Sequence, residues 1–180
     1  MPDERFTTDD ARALLAALGA PPRLVRHVEL VLEAAEEILR ALRELDVPID
    51  ADRVTIGALL HDAGKTRHPG ELDGPGSAHE AAGERLLLER GVPAALARIS
   101  RTHGEWRGAA TLEELVVALA DRLWKGKRAG ELEERFVARI AELKGDDGWA
   151  LLIELDEVFE RIASSGPQRL QRSRLFTSAR

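Results

Sequence analysis

Length, composition and charge exclude several function classes for this chain. Its 180 residues are 44% hydrophobic, which suffices for one domain with a buried core, and the net charge of −6 argues against a broad basic surface for extended nucleic acid. The chain has no cysteine, so disulfides, thiolate catalysis and zinc–thiolate sites are excluded and metal ligands would be His, Asp or Glu.

Apolar residues recur at helical spacing and β-branched alternation is almost absent, so an all-α fold is predicted. Helix caps, Gly and Pro divide the chain into predicted helices at Thr8–Leu18, Pro22–Leu45, Ala51–Ala63, Ala78–Arg90, Pro93–Thr102, Thr111–Lys125, Glu131–Leu143 and Trp149–Ser164. Ser77 and Glu80 have the spacing of a capping box at one helix start. Between two of these helices, the Gly- and Pro-rich residues 66–77 are predicted to form a loop suited to substrate contacts.

We expect one domain over residues 1–180, with a metal-binding core at about 22–128, packing helices at about 129–165 and a flexible, Arg-rich tail at 166–180. No apolar run approaches the roughly 20 residues that span a bilayer. The expectation is therefore a soluble, cytoplasmic protein without a membrane partner. The pattern does not indicate an oligomeric state.

Four of the five histidines, with two aspartates, fall at predicted helix ends or beside Gly-rich breaks. Adjacent side chains on a helix diverge by about 100°, so the pair His61-Asp62 can share an ion only near a helix end, which Gly64 supplies. Imidazole nitrogen with carboxylate oxygen suits iron, manganese, zinc or cobalt better than calcium, and one bridging carboxylate would allow two ions. The natural bridge is Asp62. The candidate ligands are His27, His61, Asp62, His79, His103 and Asp121.

This order of residues resembles the HD-domain superfamily of metal-dependent phosphohydrolases, in which a His, a His-Asp pair and a distal Asp bind metal. The resemblance covers His27 to Arg128 and implies an all-α HD-domain helical bundle. It also implies that His27, His61, Asp62 and Asp121 would hold a first ion. The additional His79 and His103 are similar to the subgroup with two ions, which includes bacterial dinucleoside-tetraphosphate hydrolases and cyclic-dinucleotide phosphodiesterases. In that subgroup Asp62, His79 and His103 would hold the second ion.

The segment His61-Asp62-Ala63-Gly64-Lys65 is similar to the superfamily's His-Asp-x-x-Lys, in which the lysine reaches substrate phosphate. The chain lacks the Gly-Tyr-Pro signature of one cyclic-dinucleotide group and has no tyrosine at all.

The resemblance implies hydrolysis by a metal-bound hydroxide, with Asp62 and Lys65 as the catalytic candidates. Two divalent ions are expected, Fe or Mn first, with Mg, Zn, Co or Ni as alternatives. The basic run after Asp121 suggests contact with a small, nucleotide-like phosphorylated substrate. The substrate-binding candidates are Lys65, Arg122, Lys125 and Arg128, and Trp106 and Trp124 are candidates for contact with a base.

Other functions remain open at this point. In a mononuclear nucleoside monophosphate phosphatase, His79 and His103 would bind phosphate instead of a second ion. A di-iron oxygenase, or a non-catalytic metal or nucleotide sensor, is also compatible with the same ligands. Any single histidine could be a hydrogen-bonded structural residue, and the basic run could be a solvated helix end.

Overall fold

The computed structural model describes residues 5–145 and 148–174, in which the regular elements are helices and no strand occurs. The all-α prediction is confirmed. None of the described helices is long and apolar enough to cross a membrane. The α-helices are α1 (Thr8–Ala17), α2 (Pro22–Glu44), α3 (Ala51–Leu60), α4 (Ala78–Glu89), α5 (Ala94–Ala97), α6 (Ile99–Thr102), α7 (Leu112–Leu123), α8 (Gly130–Lys144), α9 (Trp149–Ser164) and α10 (Gly166–Arg174). Two 3-10 turns lie between α3 and α4, at Ala63–Thr66 and Pro69–Leu72.

The centre of the fold is formed by α2, α3 and α7, which pack against one another. The stripe predicted on α2 is buried, including Val28, Val31, Ile38 and Leu42. Apolar side chains cover most of α7, because α3 and α2 contact it as well as α8 and α9. This rigid centre carries the ends of three helices to one place, where the polar cluster described below is found.

Helix α3 ends earlier than predicted. We predicted a helix through Ala63, but α3 ends at Leu60 and the chain tightens into the 3-10 turn. Gly64 allows this turn to lie against α4, since a Cβ at this position would overlap the carbonyl oxygen of His79. Gly64 therefore permits the 3-10 turn to pack closely against the backbone of α4, and it does not terminate a helix.

The capping box predicted for Ser77 is wrong. Ser77 precedes α4 with a ψ of 5°, outside the extended conformation that an N-cap side chain requires, and it makes no capping hydrogen bond. The carboxylate of Glu71 caps the helix instead, accepting from the backbone N–H of Ala78 at 3.2 Å and of His79 at 3.0 Å. The turn Pro69–Leu72 brings Glu71 over this helix end.

The prediction of a flexible tail is wrong for residues 166–174, which form α10. Residues 175–180 lie outside the described residues. The polar composition misleads here because Arg169 is buried. Its guanidinium donates to the carbonyl oxygen of Ile162 at 2.7 Å and pairs with the carboxylate of Glu37 on α2. Arg172 adds an exposed pair with Glu33 at 2.5 Å. These contacts attach α10 to α9 and α2.

We predict that Arg169→Ala lowers the free energy of unfolding by about 2 kcal/mol, because the Ile162 carbonyl loses this donor and the Glu37 carboxylate keeps only the longer pair with Arg161, at 3.8 Å. Urea unfolding followed by circular dichroism measures this. The control is Arg172→Ala, whose exposed pair contributes less than about 1 kcal/mol. Equal losses in the two variants would contradict the anchoring role of Arg169.

Candidate metal centre

The six predicted ligands come together in one cluster built from five parts of the chain. His27 lies near the start of α2, His79 in the first turn of α4, and Asp121 in the last turn of α7. His61 and Asp62 follow α3, and His103 follows α6. The side chains of His61, Asp62, His79 and His103 are buried, whereas His27 and Asp121 are partly exposed.

One oxygen of Asp62 faces the first group of candidate ligands. Asp62 Oδ2 lies 2.9 Å from His27 Nε2 and 3.5 Å from His61 Nε2. The Oδ1 atom of Asp121 lies 3.5 Å from His27 Nε2 and 3.7 Å from His61 Nε2. We call this group of four residues subsite A.

The other oxygen of Asp62 faces the second group. Asp62 Oδ1 lies 3.1 Å from His79 Nε2 and 3.7 Å from His103 Nε2. We call Asp62, His79 and His103 subsite B. The carboxylate of Asp62 therefore contributes one oxygen to each subsite, which is the arrangement of a bridging ligand.

Hydrogen bonds on the outer side of the cluster orient three imidazoles. Nδ1 of His61 lies 2.7 Å from the carbonyl oxygen of Ala58, and Nδ1 of His103 lies 2.8 Å from that of Ser100. A carbonyl oxygen only accepts, so each Nδ1 carries a proton, and in the neutral imidazole each Nε2 then presents a lone pair to the cluster. Nδ1 of His79 is 2.6 Å from a carboxylate oxygen of Glu71, with the same consequence.

Subsite B contains two buried polar atoms that make no hydrogen bond to any described residue, Asp62 Oδ1 and His79 Nε2. When His79 is neutral with its proton on Nδ1, both atoms are acceptors, and two facing acceptors without a shared donor are costly to bury. A divalent cation between them would satisfy both lone pairs. The residues of subsite B therefore suit a metal ion in two respects: their donor atoms are of the right type, and two of these atoms lack another partner.

The charges of the cluster also favour a cation. Burial alone would raise the pKa of Asp62 and of Asp121, but the neighbouring imidazoles, above all His61, outweigh it and hold both pKa values below the usual range. Burial and the charge of His61 lower the pKa of His103 to about 4, so its imidazole is neutral at pH 7. Against the effect of burial, Asp62 and Asp121 raise the pKa of His61, and Asp62 and Glu71 raise the pKa of His79. A bound cation would replace these protons between the carboxylates and the imidazoles.

Groups of donor atoms that lie within 4.8 Å of one another include His27 with His61 and Asp121, and His61 with Asp62 and His103. A family model described as the HD domain matches residues 24–124. The chain belongs to the HD-domain family. This family implies a metal-dependent phosphohydrolase superfamily whose domains bind divalent metals.

Among curated proteins, the HD chain is similar to a tRNA (cytidine(56)-2'-O)-methyltransferase of Thermoplasma volcanium, with 30% identity over 150 residues, 74% of this chain and 40% of the relative. An uncharacterized protein of Methanocaldococcus jannaschii is 31% identical over 127 residues, 62% of this chain and 72% of the relative. A methyltransferase of the same description from Picrophilus torridus is 32% identical over 104 residues, 57% of this chain and 26% of the relative. The chain thus spans well under half of either methyltransferase. No solved structure matches.

The cationic side chains predicted to bind substrate lie in two different clefts near the metal-ligand cluster. Lys65 Nζ donates to Asp62 Oδ2 at 2.6 Å, and Lys65 and Lys125 line a cavity of about 420 Å³ that His27 also borders. Arg122 lines a different cleft, next to Gly104 on the side of His103.

Arg128 borders the Arg122 cleft, but its guanidinium is held by Glu133 at 2.7 Å, Asp156 at 2.5 Å and Glu160 at 2.9 Å. These pairs connect the start of α8 to α9. They direct the guanidinium to carboxylates rather than to the metal ligands.

The two candidate tryptophans are largely buried, and each borders a cleft: Trp124 lines the cavity beside His27 and Trp106 lines the Arg122 cleft. Trp124 packs edge-on against His27 with ring centroids 5.0 Å apart, and thereby supports a ligand of subsite A. The ring of Trp106 is covered by the guanidinium of Arg107, 4.3 Å from its centroid.

Sequence reasoning missed two carboxylates beside subsite B. Glu71 orients His79, and no local pattern in its loop indicates this. Glu80, assigned to a capping box that does not form, has a donor atom within 4.8 Å of those of His79 and His103. Burial raises the pKa of Glu80. The adjacency of Glu80 to the candidate ligand His79 in the sequence could have indicated that Glu80 lies near the metal site.

We predict that the protein binds two Mn²⁺ per chain and that His79→Ala binds one, because subsite B then loses one of its two imidazoles while subsite A keeps all four ligands. Elemental analysis after equilibrium dialysis measures the ratio. The matched control is His68→Ala, since His68 lies outside the cluster, and it retains two ions. One ion in the unaltered protein, or two in His79→Ala, would contradict the division into subsites.

Proposed function

We propose that this HD-domain protein is a hydrolase that uses two divalent metal ions, Fe or Mn first, to cleave a phosphoester or phosphoanhydride bond in a nucleotide-like substrate. The observation that carries this proposal is the division of the Asp62 carboxylate between two sets of histidines. A single-ion site would not require a second pair of histidines, His79 and His103, to face the other oxygen of Asp62. Membership of the HD family supports hydrolysis as the chemistry.

The bound ions would lower the pKa of a water molecule and polarise the phosphoryl group. In the overall reaction a water oxygen forms a bond to phosphorus and the bond from phosphorus to the leaving oxygen breaks. The leaving oxygen keeps the electron pair and takes a proton. In this scheme the protein side chains position the reacting groups and supply charge that stabilises them.

Lys65 is the residue to which we assign the substrate phosphate. One N–H of its ammonium group donates to Asp62 Oδ2, which leaves two donors for phosphoryl oxygens. The pairing with Asp62 fixes Lys65 beside the ligand that the two subsites share. The negative charge that develops on the phosphoryl oxygens would then lie between Lys65 and the metal ions.

Asp121 and Asp62 are assigned to holding the metal ions and orienting the water. Both have lowered pKa values, so both remain carboxylates over the neutral pH range. Each of the three imidazoles His61, His79 and His103 directs its Nδ1–H to an acceptor outside the cluster, so its inner nitrogen would bind metal as a neutral ligand. Proton acceptance by these imidazoles would require loss of the metal.

The methyl transfer named for two of the relatives is not proposed for this chain. The matched regions are 40% and 26% of those proteins, and the features described above are those of an HD metal site. The named tRNA substrate supports only the expectation that the substrate carries a ribose or a nucleotide phosphate.

We predict that Lys65→Gln lowers kcat for phosphate release by roughly 10²-fold, the loss typical of removing one donor that stabilises transition-state charge. The assay is a panel of nucleoside mono-, di- and triphosphates and dinucleotides, run without oxygen on Mn²⁺-loaded protein. Metal content is measured in the same samples and should stay at two ions.

Lys127→Gln serves as the matched control, because it removes the same charge from a side chain that borders the Arg122 cleft. It should keep full activity. Absence of phosphate or nucleotide release by the unaltered, fully loaded protein would sink the hydrolase proposal. Turnover that appears only when oxygen is supplied would instead favour an oxygenase.

A further inference from the structure

The cavity beside subsite A is unusually basic for an acidic protein. Four cationic side chains line it, and no carboxylate is among its lining residues. The four come from separate elements: Arg23 from α2, Lys65 from the 3-10 turn, Lys125 from the segment after α7, and Arg174 from α10. The chain as a whole carries a net charge of −6, so this concentration of positive charge is local.

The cleft on the other side of the cluster provides a comparison. It is also bordered by cations, but carboxylates hold two of them. Arg107 pairs with Glu131 at 2.6 Å, and Arg128 pairs with Glu133 at 2.7 Å. Glu131 itself lines the cleft. The other two cations that line it, Arg122 and Lys127, make no ion pair with any described residue.

The cavity beside subsite A differs from this cleft because no carboxylate is among its lining residues and because the candidate metal ligand His27 lines it. Lys125 makes no ion pair with any described residue, and it is only partly exposed. Arg23 pairs with the exposed carboxylate of Asp73, which does not line the cavity. The partner of Lys65 is Asp62, whose charge would be taken up by metal ions. An anion beside Lys125 and Arg23 would therefore meet two cations without displacing a buried partner.

We propose that this cavity binds a second phosphate of the substrate, next to the one held at the metal ions. This inference rests on the proposed function and deepens it. The substrate class is then a nucleotide with at least two linked phosphates, and a simple nucleoside monophosphate binds less tightly. Leu72 and Leu170 add apolar surface to the same cavity for the uncharged part of the ligand. The volume of about 420 Å³ suits a small molecule rather than a polymer.

The role of α10 follows from this assignment. Leu170, Ser173 and Arg174 form one wall of the cavity, and the buried Arg169 holds that wall against α2. The terminal helix would thus be part of the specificity pocket although it lies beyond the segment that the family model matches, residues 24–124.

The test compares two ligands that cannot be hydrolysed, adenosine 5′-(α,β-methylene)diphosphate and the matching adenosine monophosphonate, by calorimetric titration into Mn²⁺-loaded protein. The unaltered protein should bind the diphosphate analogue at least tenfold more tightly. Lys125→Gln should lose roughly tenfold for the diphosphate analogue and less than twofold for the monophosphonate, as expected for one charge-assisted contact. Lys125→Arg should retain the preference.

Lys127→Gln is the matched control, two residues along the chain with the same change of charge, and it should retain the preference. An equal loss in Lys127→Gln would show a general field effect and overturn the proposal. Equal affinity for the two analogues in the unaltered protein would overturn it as well, while metal-dependent binding of both would leave the proposed function standing. Failure of both analogues to bind protein that contains two Mn²⁺ ions would count against the cavity assignment and the hydrolase proposal together.

Discussion

The arrangement of the site depends on the carboxylate of Asp62, which is buried at the end of α3 and turns one oxygen toward each pair of histidines. A buried carboxylate requires compensating charge or hydrogen bonds, and here Lys65 and the imidazoles surround it. Asp62 lies at a helix-to-turn junction, so its side chain and that of His61 can both point to the same place. The helical core holds this junction because α3 packs against α2 and α7.

The supporting residues orient three imidazoles toward the cluster. Carbonyl groups of Ala58 and Ser100 and the carboxylate of Glu71 fix the outer nitrogens of three imidazoles. Each of these acceptors belongs to a helix or turn that also packs the core, so metal binding and folding are coupled. Glu71 has two tasks, since the same carboxylate caps α4 and orients His79.

Much of the fold was predictable from the sequence, because helical periodicity and Gly breaks are local signals. The six cluster residues were predicted from their positions at helix ends and from the resemblance of their order to the HD-domain superfamily. The features that were missed depend on contacts between distant residues. Glu71 displaces Ser77 as the cap of α4 only because a loop folds over the helix start. Arg169 orders α10 only because Glu37, 132 residues earlier, lies opposite it. Single-sequence patterns contain no record of such pairs.

The most direct test of a shared Asp62 is a crystal structure of the Mn²⁺-loaded protein with anomalous diffraction data at the manganese edge. The account predicts two anomalous peaks, one among the residues of subsite A and one among those of subsite B, each next to a different oxygen of Asp62. A single peak, or two peaks of which only one contacts Asp62, would contradict it.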